Sequence, residues 1–376
     1  MNLKDELYSY KESVKLNYSL ISPHSPRFIY APLFKVGEGS ESHLNNGFFS
    51  FLINILKENG VKINIWKKRP FPNKKKPKSH PSMWVELDNE LYFFDKSDHI
   101  QELDISALKI CSKYFKDNYN KLEISRILKY HNISNKLEKI KPFFPFCDLS
   151  KDNNFFQPKK IKLFDICLMM SIYKAPEIIM NDSYKMKFPV AYDHCFIRIK
   201  TCNLLKRKAG NLRTFVNLTS KDGSTSKIIR LRYIPLKSYL KILSHSSVGI
   251  VNTIPHRILP WKFSEMICMG VPPAIDQRPI TQFPAIIDIE PEKHFIEIFP
   301  NSTSFNNNPD AYPFDLSCFR ALMSNYRDDY LDECFDKFLS KIKDLDFISY
   351  ITENVFSLKN NVLLNKELIF NYIINC

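Results

Sequence analysis

The chain reads as an α/β protein of two domains, each built on a mostly parallel sheet with helices on both faces. Three observations predict this. Strand-like apolar runs alternate with helix-like segments along most of the sequence. A polar stretch, Lys141–Lys160, carrying Pro142, Pro145 and Pro158, interrupts that alternation near the middle. The stretch Tyr239–Asp276 then runs helix, strand, loop, helix, Gly stop, strand, the order of a βαβ unit. The expected division is 1–150, 151–345 and a helical tail, 346–376, placed to pack back on the first domain.

The first half opens with a polar lead-in. Arg27–Phe34 has strand composition, and Lys35–Ser42 is a loop holding Gly37 and Gly39, two of only eight glycines. His43–Asn59 reads as an amphipathic helix ended by Gly60, and Val61–Trp66 as the next strand. Together these predict an opening βαβ unit. Glycines at its first turn let a ligand approach the backbone, and the helix N-terminus favours negative charge. The spacing lacks the third glycine of a dinucleotide-binding fingerprint. Glu90–Phe94 is a short apolar strand followed by Asp95, Lys96, Ser97, Asp98 and His99. Carboxylates just past a strand's C-terminal end are placed to meet a ligand, although Asp98 equally suits a helix cap. Leu122–His131 reads as a helix.

The second half restarts the pattern. Ile161–Met170 is a strand, Val190–Lys208 a helix ended by Gly210, and Leu212–Leu218 and Lys227–Tyr233 are strands. Arg198 and Lys200 on that helix either reach toward phosphates or complete a solvated face. In the βαβ stretch, Val248–Val251 and Val271–Ile275 are the strands, and Lys262–Met269 the helix stopped by Gly270. His256, Arg257, Lys262, Ser264 and Glu265 cluster at the end where such units bind ligands. Cations with a carboxylate suit a ligand that carries phosphates and a ribose. Leu316–Tyr326 and Asp328–Lys343 are helix-like.

Composition bounds the function classes. The chain has 54 Lys and Arg against 40 Asp and Glu, a net charge of +14, which favours polyanionic partners. No nucleic-acid-binding motif accompanies the charge, so no nucleic-acid partner is expected. The basic, Pro-broken run Lys67–Lys78 reads either as a solvated loop or as a contact for anionic lipid headgroups. Nine scattered cysteines without a CxxC pair read as reduced, buried thiols. The N-terminus lacks the apolar segment of a signal peptide, and no apolar run reaches membrane-spanning length. A cytoplasmic protein is expected, peripheral on the inner face of a membrane if the basic run binds lipid.

Two α/β halves, one with a Gly-bearing first loop and one with this βαβ stretch, resemble the GT-B glycosyltransferases. The resemblance is strongest at Glu265-Met266-Ile267-Cys268-Met269-Gly270-Val271-Pro272-Pro273, which is similar to the family's donor-site pattern. The segments FFDKSD and KYFKDNY within Tyr92–Tyr119 are similar to exostosin-like and CgeB-like bacterial transferases.

The resemblance implies two Rossmann-like domains facing a cleft, with a nucleotide-sugar held mainly by the C-terminal one. It implies that Glu265 contacts the ribose. Lys262 and Arg257 would neutralise the diphosphate, with His256, Ser264, Gly37 and Gly39 also lining the donor. Arg257 stands where retaining members often carry a second glutamate, so an inverting reaction with a general base from the first half is the alternative. Asp98 is the preferred base, with Asp95 and His43 behind it. No DxD follows a strand, so no metal is expected, and the only cofactor-like group is the nucleotide-sugar substrate. The expected function is metal-independent transfer of a sugar to a glycan or glycolipid in surface polysaccharide or lipopolysaccharide synthesis. A nucleotide-sugar epimerase-like enzyme and a non-catalytic basic protein binding membrane or nucleic acid are the rival readings.

Overall fold

The computed structural model describes residues 13–18, 28–30, 51–56, 58–59, 61–66, 82–87, 90–96, 100, 103–144, 161–181, 183, 189–220, 234–253, 258–300 and 327–376. His43, Gly37, Gly39, Asp98, His256 and Arg257 lie outside the described residues, as do Lys67–Lys78, Lys227–Tyr233 and Leu316–Tyr326. The chain forms two compact α/β units. The first comprises 1–148, 281–288 and 362–376, and the second 149–280 and 289–361.

In the first unit, β1 (Ser13–Tyr18) pairs antiparallel with β3 (Val61–Trp66) as a two-stranded sheet. A separate five-stranded sheet runs β2-β4-β5-β6-β7, from Phe28–Tyr30, Ser82–Leu87, Glu90–Asp95, Lys113–Lys116 and Ile140–Pro142. Its β2-β4-β5 half is antiparallel and its β5-β6-β7 half parallel. The opening βαβ unit expected from the sequence is therefore not formed, because β2 and β3 enter different sheets. The partner of β3 is the segment Ser13–Tyr18, whose alternating Val14, Leu16 and Tyr18 suit a strand but are set among polar neighbours.

Helices α1 (Ile105–Ile110) and α2 (Lys121–Tyr130) start at capping side chains. Asp104 accepts from the Ala107 amide and Asn120 from the Glu123 amide, satisfying donors the helix leaves open. The core is aromatic: Phe94 stacks on Phe115 at 4.6 Å, and Phe143 meets both edge-on.

The second unit is a doubly wound parallel sheet. Its strands are β8 (Phe164–Ile172), β9 (Thr214–Ser220), β10 (Ser246–Val251), β11 (Pro273–Ile275) and β12 (Ile296–Glu297). They lie in the order β12-β11-β10-β8-β9, every neighbouring pair parallel.

Around the sheet are α3 (Pro176–Ile179), α4 (Pro189–Lys208), α5 (Leu236–Ser244), α6 (Trp261–Cys268), α7 (Asp328–Lys343) and α8 (Leu345–Leu358). Alternation along β10 puts helices on both faces. Val248 and Ile250 pack in one core with Cys195, Ile199 and Cys202 of α4 and Phe335 and Phe338 of α7. Gly249 faces the other way, where an added Cβ would lie 2.8 Å from Met266 of α6 and 3.0 Å from Leu243 of α5. Gly270 ends α6 at φ +68° and Gly210 follows α4 at φ +57°, left-handed positions that cost glycine nothing.

A helix α9 (Lys366–Asn375) completes the first unit. Its Tyr372 hydroxyl donates to the Pro142 carbonyl at 2.7 Å, and Lys113 donates to the Ile374 carbonyl at 2.6 Å.

Candidate functional site

The order of the second sheet fixes where a ligand fits. From β8 the chain winds outward to β9, then returns to place β10 on β8's opposite edge. Where winding reverses, the loops leaving the two central strands part, and the crevice beyond their carboxyl ends is the usual ligand site of such sheets. Here β8 and β10 stay paired from Phe164 with Ser246 to Leu168 with Ile250. β8 then continues to Ile172 against β9 alone.

Lys262 occupies the point where the pairing ends. From the first turn of α6 its ammonium donates to the Met169 carbonyl at 2.7 Å, and it lies 5.2 Å from the Tyr239 ring centre and 5.6 Å from that of Trp261. The sequence assigned Lys262 to a phosphate; the structure commits its ammonium to the end of the β8–β10 seam.

Glu265, one turn on, is 0% exposed. The Tyr239 hydroxyl donates to its Oε2 at 3.2 Å. Ser264 is equally buried, and its Oγ finds no hydrogen-bond partner among the described residues. The structure therefore brings Lys262, Glu265 and Tyr239 together, with the carboxylate facing protein rather than solvent.

Asp276, a residue without an assigned role in the sequence reading, follows β11 and anchors the loop after β10. Its buried carboxylate accepts from the Thr253 amide at 2.6 Å, the Thr253 hydroxyl at 2.8 Å, the Asn252 amide group at 3.1 Å and the Gln277 amide at 2.9 Å. Burial raises its pKa, and the same four donors pull it back. A lone Asp at the end of a strand-like run carries no sequence mark of such a role, because its partners lie 23 and 24 residues away.

Arg198 of α4 reaches the same edge of the sheet, its Nη1 donating to the carbonyl of Ser171 near the end of β8. Tyr173, just beyond β8, places its ring 5.3 Å from that of His194, and its amide donates to the Cys195 sulfur at 3.4 Å. Lys200, by contrast, serves the surface, pairing with Asp328 of α7 at 2.6 Å.

In the first unit, Asp95 ends β5 directly opposite Lys116 of β6. Both are buried, at 4% and 0% exposure. The Tyr114 hydroxyl donates to the Asp95 carboxylate, and the Lys116 ammonium lies 3.8 Å from it. Burial, then the adjacent Asp95 charge, pushes the Tyr114 pKa well above the ordinary phenol value. Asp95 thus sits in a buried network that holds its side chain fixed. Lys96, Asp117 and Asn118 extend this buried polar edge, and Asn118 takes the left-handed φ of +53°.

Among the described residues no group of three or more His, Cys, Asp or Glu side chains gathers as a metal site. No described helix is long and apolar enough to cross a membrane. An open concavity of about 410 Å³ in the second unit is lined by Gly270, Thr352, Glu353, Phe356, Ser357 and Asn360, of which the sequence singled out only Gly270, as a helix stop.

No family model matches the chain, and no curated protein is similar to it in sequence. Among solved structures it is similar to the catalytic domain of starch synthase IV from Arabidopsis thaliana, bound to ADP and acarbose. The identity is 10% and the TM-score 0.36, over 72% of this chain and 57% of that one. The chain thus spans a little over half the length of that domain.

Proposed function

We propose that the chain is a nucleotide-sugar-dependent glycosyltransferase whose donor nucleotide sits at the β8–β10 switch point of the second unit. The observation that carries the reading is the parallel order β12-β11-β10-β8-β9, with polar groups from β8, β10, α4 and β11 converging where the winding reverses. The sequence pattern from Glu265 to Pro273 supports it independently, since it falls on α6 and the strand that follows.

In this reading Glu265 meets the donor ribose only after Tyr239 turns aside, because the carboxylate is fully buried against that side chain. The departing nucleoside diphosphate is stabilised by cationic side chains and backbone amides at the crevice. The acceptor is a glycan or glycolipid, in polysaccharide or lipopolysaccharide synthesis, and Asp98 is the base that takes its hydroxyl proton. Contact of Lys67–Lys78 with an anionic membrane surface belongs to the same proposal.

The test is a melting-temperature titration with UDP, GDP, ADP and CMP, followed by product analysis with the matching nucleotide-sugars and a mixed glycan acceptor. A ligand at 100 times its Kd stabilises the fold by about 2.7 kcal/mol, a readily measured shift. The reading expects one nucleotide to raise the melting temperature and a new glycosidic product to form. Isomerised donor without transfer would instead make the chain an epimerase-like enzyme, and no shift with any nucleotide would end both readings.

A further inference from the structure

Arg198 carries a positive charge into the switch-point crevice, and no carboxylate among the described residues is in contact with it. Its Nη1 is held by the Ser171 carbonyl, while its buried Nε meets no acceptor among the described residues. Burial lowers its pKa, and the groups within electrostatic reach are Cys195, Tyr173 and Asp276. None of them neutralises it by contact. The Cys195 sulfur accepts from the Tyr173 amide, and burial raises the Tyr173 phenol's pKa and keeps it neutral. Asp276 spends its oxygens on Asn252, Thr253 and Gln277.

A half-buried guanidinium whose Nε is buried and unspent is an unsatisfied group that calls for a partner. The crevice also holds a complementary acceptor. Asn252 gives its amide hydrogens to Asp276, and its buried Oδ1 has no partner among the described residues. Lys262, the cation the sequence favoured, is already committed to the Met169 carbonyl.

We propose that Arg198, rather than Lys262, grips the anionic group of the ligand at the switch point, while Asn252 Oδ1 accepts from a hydroxyl or amine of the same ligand. Resting on the reading above, that anion is a phosphate of the bound nucleotide. The guanidinium fork suits a phosphate because two of its N–H groups can meet two phosphate oxygens in one plane.

The experiment is calorimetric titration of the full chain and of its Arg198→Gln, Arg198→Lys and Lys262→Met variants, with circular dichroism confirming each fold. The probes are the nucleoside diphosphate that shifts melting most, its parent nucleoside, and inorganic pyrophosphate. Arg198→Gln is expected to weaken diphosphate binding about 10- to 100-fold and leave the nucleoside unchanged. Lys262→Met should weaken it far less. If Arg198→Gln does not fold, Arg198→Lys carries the test, since it keeps the charge but loses the fork, and its affinity should fall several-fold.

Equal diphosphate affinity in wild type and the Arg198 variants overturns the inference and leaves the glycosyltransferase reading standing. If no nucleotide binds but pyrophosphate binds in an Arg198-dependent way, the anion site stands and the nucleotide reading fails. If neither binds, the anion site is overturned as well.

Discussion

The ammonium of Lys262 donates to the main-chain carbonyl of Met169, the first residue of β8 beyond its last partner on β10. A side chain from α6 thereby satisfies a strand carbonyl just where the seam between the two central strands ends. Replacing Lys262 by Met removes a charge-assisted hydrogen bond and leaves that carbonyl unmet. The expected loss is about 1–3 kcal/mol of unfolding free energy, read from urea denaturation. An unchanged midpoint would show that water or a rearranged neighbour serves the carbonyl equally well.

Asp276 collects four donors in the interior, so Asp276→Ala strands the Thr253 amide and the Asn252 amide group, while the Thr253 hydroxyl keeps the Gln277 carbonyl. A loss of about 2–4 kcal/mol is expected. Asp276→Asn keeps the volume but turns one acceptor into a donor, and should recover only part of the loss. The check is the denaturation midpoint of both variants; equal midpoints for Ala, Asn and wild type would show that the carboxylate does not anchor the loop.

Asp95 and Lys116 form a buried pair at the parallel edge of the first unit. Asp95→Ala takes the carboxylate away from a buried ammonium and should cost about 3–5 kcal/mol. The double variant Asp95→Ala, Lys116→Met should be more stable than the single one, because the orphaned charge is gone. If the double variant is instead the weaker, coupling between the two charges is not what the edge depends on.

Lys162, just before β8, donates to the Ser244 carbonyl at 3.3 Å, and burial lowers its pKa from 10.5 to about 8. The unfolded chain therefore holds this proton more tightly than the folded one between those values. By linkage, Lys162 makes stability rise with pH from about 8 to 10.5. Subtracting the stability profile of Lys162→Met from that of wild type isolates the effect. A flat difference across that window would contradict it.

Gly249 faces α5 and α6, with the Met266 side chain 2.8 Å from where a Cβ would stand. Gly249→Ala should cost about 1 kcal/mol, since the end of a methionine can shift, and Gly249→Val about 3 kcal/mol, since two further carbons cannot be accommodated. Pairing Gly249→Val with Met266→Ala should recover part of the loss. Thermal unfolding of the three variants tests this order.

Much of the second unit was legible in the sequence. Its core strands are short apolar runs closed by Gly or polar residues, so Val248–Val251 and the helix stopped by Gly270 fell within a residue or two of β10 and α6. The helix Asp328–Lys343 matched end to end, its first turn acidic and its last basic. The first unit was less legible because its pairings are antiparallel or distant. Ser13–Tyr18 meets Val61–Trp66 across more than forty residues, and no local pattern announces such a partner.

Site residues divided in the same way. Lys262 and Glu265 stand out in the sequence because they sit together in a recognisable unit. Their partners, Tyr239 for Glu265 and the Met169 carbonyl for Lys262, are brought near only by the fold. Arg198 looked like any helix cation, and only the position of α4 beside the end of β8 distinguishes it from Lys200, two residues on.

The first unit is assembled from three separated pieces of chain, and its last piece is 362–376. A ribosome making this protein releases residues 1–148 long before the helix that supplies Tyr372 to Pro142 and the carbonyl for Lys113. The second unit needs nothing after residue 361. The domain translated first is therefore expected to be the last to close, the reverse of the order of synthesis. A chain truncated after residue 361 should carry a finished second unit and a first unit that proteases still cut.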